Sequence, residues 1–343
     1  MSTPPVTPAR FDHHPVGGIA RFQRFLHSKP TAAPLMVLLM SLIAFAFIAG
    51  ERFFTPFNIS LIIQQVTVIG ILGAAQTLII LSAGIDLSVA AIMVLSSVVM
   101  GRIGVVHGLP IEIALLAGFA AGSACGYLNG LLITRLRLPP FIATLGTWSV
   151  FFALNLWLSE AQTVRSADID RLAPILKFFG ERVGIFGAQL TYGSFLMLGL
   201  FALLWYVLNW TAWGRRVYAV GDDKEAADLA GIRSDRMLLS IYTVAGLICA
   251  LGGWVAIGRL GSVSPQSFYE GNLDAITAVV IGGCSLFGGR GSILGTLIGA
   301  LIVGVFRSGL KIAGVDVLWQ EFTVGALIIA AVAMDQWIRK VSA

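Results

Sequence analysis

Ten apolar runs, each close to the length that crosses a bilayer, recur along the 343 residues and constrain the fold more than any other feature. They cover 33–50, 60–82, 87–106, 111–134, 141–158, 192–210, 237–258, 272–289, 291–310 and 318–337. A run of roughly 18 or more apolar residues reads as a transmembrane helix, because lipid offers the backbone no hydrogen-bond partner and a helix satisfies its own. The third and eighth runs carry glycine and polar interruptions. Charged residues make up 12% of the chain, about half the roughly 25% of soluble domains. A soluble core is thereby excluded. The expected fold is an all-α polytopic membrane protein, with about ten transmembrane helices over 33–338, an N-terminal tail over 1–32 and a short C-terminus over 339–343.

An even number of spans puts both termini on one face. That face also holds Arg135, Arg137, Arg290 and the loop 211–236, and so the larger share of the 23 Lys and Arg residues. Positive charge collects on the cytoplasmic side, so both termini are expected there. The net charge of +5 then anchors helix ends against lipid, and no nucleic-acid partner is expected. The loop 159–191 falls outside. In it Ile169, Leu172, Ile175, Leu176 and Phe179 have near-helical spacing, which predicts an amphipathic helix on the membrane surface or over a pathway mouth. The three cysteines, Cys125, Cys249 and Cys284, lie in apolar segments without metal-ligand spacing and read as packing residues.

The chain echoes itself. GIDLSVAAIMV (84–94) resembles GNLDAITAVVI (271–281), and LNGLLITRLRLPPF (128–141) resembles FRSGLKIAGVDVLW (306–319). In each pair the first member falls in spans one to five and the second in spans six to ten. A repeat of five spans must insert its two copies upside down, so two inverted five-helix halves are expected, with a solute pathway along their interface.

No enzyme constellation is present. There is no G-x-x-x-x-G-K-[ST], so the chain cannot hydrolyse ATP through a P-loop. There is also no CxxC, no His-rich cluster and no G-x-S-x-G elbow. No catalytic residue, metal or cofactor is expected in this chain. The glycine-rich GGCSLFGGRGS (282–292) lacks a lysine and reads as a tight turn between spans. Ionisable residues inside spans are few. Asp86 and Asp274 each stand near a glycine at a span start, where a carboxylate either caps the helix or meets a solute. Neutral polar residues are more plentiful: Ser88, Gln64, Gln65, Gln76, Asn129, Thr144, Thr147, Asn155 and Thr277. They either line a path for a hydrogen-bonding solute or bridge helices. Without a string of Asp, Glu and His across the spans, a self-sufficient ion-coupled transporter is the weaker alternative.

The stretch GRRVYAVGDDKEAADLAGIRSDR (214–236) is the longest in the second half that lipid would reject. It predicts a short helix capped by Asp222, with Glu225 three residues on as in a capping box, and stopped by Gly231. Its EAADLAG fits the pattern E-A-A-x-x-x-G, and so resembles the membrane subunits of bacterial ABC importers. LSAGIDLSVA (81–90), LPPFIATLGT (138–147) and VVIGGCSLFGGRGSILGTLIGALIVGVF (279–306) narrow the resemblance to the ribose/xylose/fructose-type sugar permeases. Ser82, Ala83 and Ala90 depart from the usual pattern. The closing DQWIRKVSA is nearest in wording to the fructose permeases. The resemblance implies a pore built from two permease copies, a homodimer or this chain with a sister. It also implies cytoplasmic ATPase subunits that use ATP and Mg, and a periplasmic sugar-binding protein that delivers the sugar. Gly214, Arg215, Asp222, Glu225, Ala226, Ala227 and Gly231 are then the coupling residues, with Ala226 and Ala227 as a slim face that enters a cleft on the ATPase.

Overall fold

The computed structural model describes residues 31–185 and 187–339. The expected tail over 1–32, all but its last two residues, and the last four residues of the chain lie outside them. Among the described residues thirteen α-helices follow in order: α1 (Ala32–Ala49), α2 (Pro56–Leu81), α3 (Val89–Gly101), α4 (Ile111–Thr134), α5 (Pro140–Ser159), α6 (Ser166–Leu172), α7 (Tyr192–Trp210), α8 (Ala212–Asp222), α9 (Lys224–Leu229), α10 (Ser234–Leu260), α11 (Gly271–Ile281), α12 (Ile293–Ile312) and α13 (Val317–Arg339). A π-helical stretch, Arg102–Val106, prolongs α3. Eight of the segments are long and apolar enough to cross a membrane; α11 and the apolar part of α13, Val317–Ala330, are shorter. The chain is an all-α polytopic membrane protein.

One expected span changes character. The run 272–289 is helical only to Ile281. At 11 residues α11 is about 16 Å long, well short of the roughly 30 Å apolar core of a bilayer. Beyond it Gly283, Gly288 and Gly289 adopt φ of 82°, 84° and 68°, a left-handed conformation that glycine takes freely and that no helix continues through. Apolar side chains persist across this turn, which is why hydropathy alone runs it together with the helix.

Helix ends gather at two poles. At one, called here the proximal end, lie 82–88, 135–139, 211–233 and 282–292; the Gly289 N–H donates to the Leu81 carbonyl (3.0 Å) and the Tyr218 hydroxyl to the Gly291 carbonyl (3.1 Å). At the distal end lie 160–191 and 261–263, joined by a two-way bridge between Val164 and Val263. The amphipathic helix expected in 159–191 is broken. α6 stops at Leu172, and Pro174, which cannot donate to the preceding turn, opens a separate 3-10 segment, Pro174–Gly180. Ile169 and Leu176 are buried, whereas Leu172 and Ile175 are exposed. A β-hairpin follows, β1 (Arg182–Ile185) against β2 (Ala188–Thr191), in antiparallel register Arg182↔Thr191.

The two halves exchange partners. α2 packs on α11 and α12 of the second half, as α10 packs on α3 and α4 of the first, and α2 and α10 also touch each other. Within each half the third helix packs on the fourth and fifth. Such reciprocal pairing is what two related halves produce when each lends its long second helix to the other. The seam between α4 and α10 is stripped of side chains: a Cβ on Gly126 would lie 2.1 Å from the Tyr242 carbonyl oxygen, and one on Gly246 2.2 Å from that of Gly122. Backbones in lipid approach this closely only across small residues.

Two connections turn back into the bundle. Residues 82–88 re-enter from the proximal end and 264–270 from the distal end. They meet where Asn272 donates to the Leu87 carbonyl (3.2 Å) and where a Cβ on Gly271 would touch Ala90 (3.3 Å) and Leu72 (3.4 Å). The starts of α3 and α11 therefore come together inside the protein, at the boundary between the halves.

Candidate functional site

The charged stretch 214–236 holds two helices. α8 begins at the Thr211 cap, whose hydroxyl accepts the Gly214 N–H (3.2 Å), and buries Gly214, Val217, Val220 and Gly221. Arg215 and Arg216 on its opposite face are exposed. Arg215, Arg216 and Asp222 hide this helix from a hydropathy reading; apolar Val217 and Val220, three apart, are the signal that could have found it. Tyr218 lies against the 282–292 turn, and burial pushes its phenol up to about 12.

α9 is the short helix expected, with a different cap. Asp222 ends α8, and Asp223 caps α9 by accepting the Ala226 N–H (2.9 Å). Glu225 thus falls at the second helical position, one short of the position from which a capping-box glutamate reaches back. Gly231 stops the helix as expected, at φ 83°, with its N–H on the Asp228 carbonyl (3.0 Å) and that of Ile232 on Ala227 (3.0 Å). The Ser234 N–H donates to the Asp228 carboxylate (3.1 Å) and holds it below the usual carboxylate range. The pair Ala226–Ala227 does not form one outward face. Ala227 is buried in the chain's own core, Ala226 is exposed, and the apolar tip is Leu229, 90% exposed.

Nothing lies within 4 Å of a Cβ at Gly231, so a substitution there strains the backbone rather than the packing. A left-handed residue other than glycine costs about 1–2 kcal/mol, less for asparagine and more for a β-branched side chain. Gly231→Val is accordingly expected to lower transport severalfold with membrane insertion intact, and Gly231→Asn to retain most of it. Uptake assays normalised to membrane-inserted protein check this.

From α8 a tight joint leads into the bundle. A Cβ on Gly221 would lie 1.8 Å from the Leu81 carbonyl oxygen and 2.8 Å from the Gly289 nitrogen. The end of α2, the end of α8 and the 282–292 turn thus meet backbone to backbone. One residue beyond Leu81 begins the re-entrant segment 82–88.

That segment is pinned by side chains from four helices. Asp86 accepts the Ser88 N–H and hydroxyl (2.6 Å each) on one oxygen and the Asn129 amide (3.2 Å) on the other. Asn129 also donates to the Ser88 hydroxyl oxygen (2.8 Å). The Gln76 carboxamide bonds both the carbonyl (3.1 Å) and the N–H (3.2 Å) of Asp86. The Thr144 hydroxyl accepts the Leu87 N–H (3.2 Å) and shares its own proton between the Pro140 carbonyl (2.9 Å) and the Ile85 carbonyl (3.1 Å). Asp86, Ser88, Asn129, Thr144 and Gln76 are all at most 2% exposed. Buried polar groups are normally hydrogen-bonded; these bonds fix a backbone that has no ladder of its own, while Asn129 Oδ1 stays buried without a partner.

The remaining candidates lie elsewhere. Thr147 donates to the Thr144 carbonyl (3.3 Å) and Thr277 to that of Leu273 (2.6 Å), each within its own helix. Asp274, in the first turn of α11, pairs with Arg307 of α12 (2.7 Å), whose other nitrogen meets Glu321 of α13 (3.0 Å). Asn272, absent from the sequence candidates, is the residue that ties α11 to the re-entrant segment.

A family model described as "Branched-chain amino acid transport system / permease component" matches residues 58–332. Among characterised relatives, the chain is 58% identical to the fructose import permease protein FrcC of Rhizobium meliloti, over 98% of this chain and 93% of that protein. It is 39% identical to the ribose import permease protein RbsC of Bacillus subtilis (strain 168), over 87% and 90%. It is 35% identical to the D-allose transport system permease protein AlsC of Escherichia coli (strain K12), over 89% and 91%. No solved structure matches. The matched region runs from α2 to α13 and so contains the exchanged helices of both halves, the joint at Gly221 and the pinned segment around Asp86. The chain belongs to the family of branched-chain amino acid transport system permease components.

Proposed function

We propose that this chain is the membrane permease subunit of an ATP-driven importer of a monosaccharide of the fructose, ribose or xylose type. It lies in the bacterial inner membrane with both termini cytoplasmic. The observation that carries the reading is the path from α9 to the centre of the bundle. An exposed short helix with an apolar tip at Leu229 continues through α8 into the joint of Gly221, Leu81 and Gly289, and from there into the segment that positions the start of α3. A partner that moves α9 moves α8, and the joint has no slack to absorb the motion.

In this reading separate cytoplasmic ATPase subunits dock on α8 and α9 and hydrolyse ATP with Mg. A periplasmic binding protein delivers the sugar to the distal end, and a second copy of this chain completes the pore. Asp86, Ser88, Asn129 and Thr144 act by positioning the re-entrant segment. The names of the relatives favour a sugar over an amino acid, although the family description names the latter. The arrangement of the ionisable groups favours ATP coupling over an ion gradient: Asp86 bonds Ser88 and Asn129 and Asp274 pairs with Arg307, each within its own local cluster rather than in a chain across the bundle.

The test is reconstitution in proteoliposomes with a cytoplasmic ABC ATPase and a periplasmic sugar-binding protein from the same organism. Uptake of fructose or ribose is expected only with ATP inside the compartment holding the ATPase, and no uptake from a proton or sodium gradient alone. Gradient-driven uptake without the ATPase, or uptake of leucine in place of the sugars, overturns the proposal.

A further inference from the structure

At the boundary between the halves, a narrow cleft, closed down to about 10 Å³ in this structure, lies between α5 and the re-entrant loop 264–270. Trp148 and Phe152 of α5 and Tyr269 of the loop line it, over the small side chains of Ala90 and Ala91 at the start of α3. The rings of Trp148 and Phe152 lie nearly parallel (21°, centroids 6.3 Å apart), and Tyr269 stands across both at 5.6 Å. Asn155 also lines the cleft and is 1% exposed. Its Nδ2 donates to the Pro265 carbonyl (2.6 Å). Because a carbonyl can only accept, that bond fixes the amide orientation. Its Oδ1 is left buried with no partner.

A buried acceptor without a donor is costly and uncommon in a folded protein. Aromatic faces beside one orphaned acceptor suit a ligand with C–H surface on one side and hydroxyl donors on the other. Binding sites are typically apolar and aromatic, with a few placed polar groups that set orientation. Phe268, next to Tyr269, holds φ at 54°, an uncommon conformation for a bulky residue and one that turns the loop's end toward α5.

Resting on the importer reading above, we infer that this cleft is a sugar-contact subsite of the permease: Trp148, Phe152 and Tyr269 pack against the sugar ring, and Asn155 Oδ1 accepts one of its hydroxyls. The permease then contributes to sugar selection in addition to any selection made before the sugar arrives. The rings touch one another in this structure, so entry of a sugar requires Tyr269 to swing away with its loop.

The test uses the complete transporter in proteoliposomes, with fructose, ribose and allose as separate substrates. Tyr269→Ala and Asn155→Asp are compared with the wild type. The readouts are kcat and KM for each sugar, together with the sugar affinity of the isolated binding protein. About a tenfold change in the ratio of kcat/KM between two of the sugars is expected for at least one variant, with the binding protein's own affinity unchanged. Tyr269 is 54% exposed, so its truncation carries the test even if Asn155→Asp does not insert. A parallel fall for all three sugars, or no change in either variant, overturns the subsite while leaving the importer intact. Absence of sugar uptake by the wild-type complex overturns the importer reading, and the subsite with it.

Discussion

Gly221→Val is expected to abolish ATP-driven uptake, and Gly221→Ala to lower it by at least tenfold. A single methyl group there would stand 1.8 Å from the Leu81 carbonyl oxygen, less than any packed carbon tolerates, and the neighbour is backbone rather than a side chain that can rotate. The Leu81 carbonyl also accepts the Gly289 N–H, so relieving the overlap parts α8 from both α2 and the 282–292 turn. Overpacking of this kind costs about 1–3 kcal/mol. The loss falls on the contact that links the charged loop to the bundle. The ATPase subunits should still bind and still hydrolyse ATP, because α9 and Leu229 are untouched. Gly199→Ala, at a position with nothing within 4 Å of the new carbon, should behave as the wild type. ATP hydrolysis and uptake measured side by side decide the matter: full uptake by Gly221→Val would remove the joint from the mechanism.

The second large effect is expected at Asp86. Replacing it with alanine removes the acceptor for three donors, the Ser88 N–H and hydroxyl and the Asn129 amide. Each buried group left unpaired costs about 1–3 kcal/mol, a sum comparable with a substantial part of the 5–15 kcal/mol that holds a typical domain folded. Asp86→Ala should therefore lower the thermal midpoint of the detergent-solubilised protein by several degrees and uptake by at least tenfold. Asn129→Leu alone should cost less. In the double variant the two changes should not add, because the second removes a donor that the first had orphaned. Strict additivity would mean that the two side chains act independently, contrary to the bonds described.

Much of this architecture is legible in the sequence, for a physical reason. A transmembrane helix writes its length into the chain as uninterrupted apolar residues, so nine of the ten expected runs become long helices within a few residues of their expected ends. The tenth fails where composition and conformation part company: Cys284, Leu286 and Phe287 are apolar, but the glycines between them bend the backbone out of a helix. The charged loop 211–236 shows the opposite error. Arg215, Arg216 and Asp222 suggest solvent, yet Val217, Val220 and Gly221 are buried and build α8. Asp223 displaces Asp222 as the cap because α8 already uses Asp222, a fact that exists only once both helices are placed.

The polar residues were harder to read. Asp86, Ser88, Asn129 and Thr144 could be listed as candidates but not joined, because they come from the re-entrant segment, α4 and α5, which meet only in three dimensions. Gln76 and Asn272 complete that set from α2 and α11. The echo between 84–94 and 271–281 brought Asn272 within reach, since the two segments do meet. It could not say that one would hold the other. The orphaned oxygen of Asn155 is likewise invisible in sequence, because it is defined by the single bond that its own amide nitrogen makes.

The exchange of second helices between the halves bears on how such a chain is made. When the ribosome has released the first five spans, α3 and α4 have no α10 to close on, and α2 has neither α11 nor α12. The glycine surfaces that later form the α4–α10 seam must wait in lipid, open to any small-residue helix nearby. Contacts so distant along the chain form slowly, and exposed unpaired surfaces are where membrane and soluble proteins alike go astray. The half that emerges first is therefore an unfinished object rather than a folded module. Its packing cannot be completed until the residues after 234 have entered the membrane.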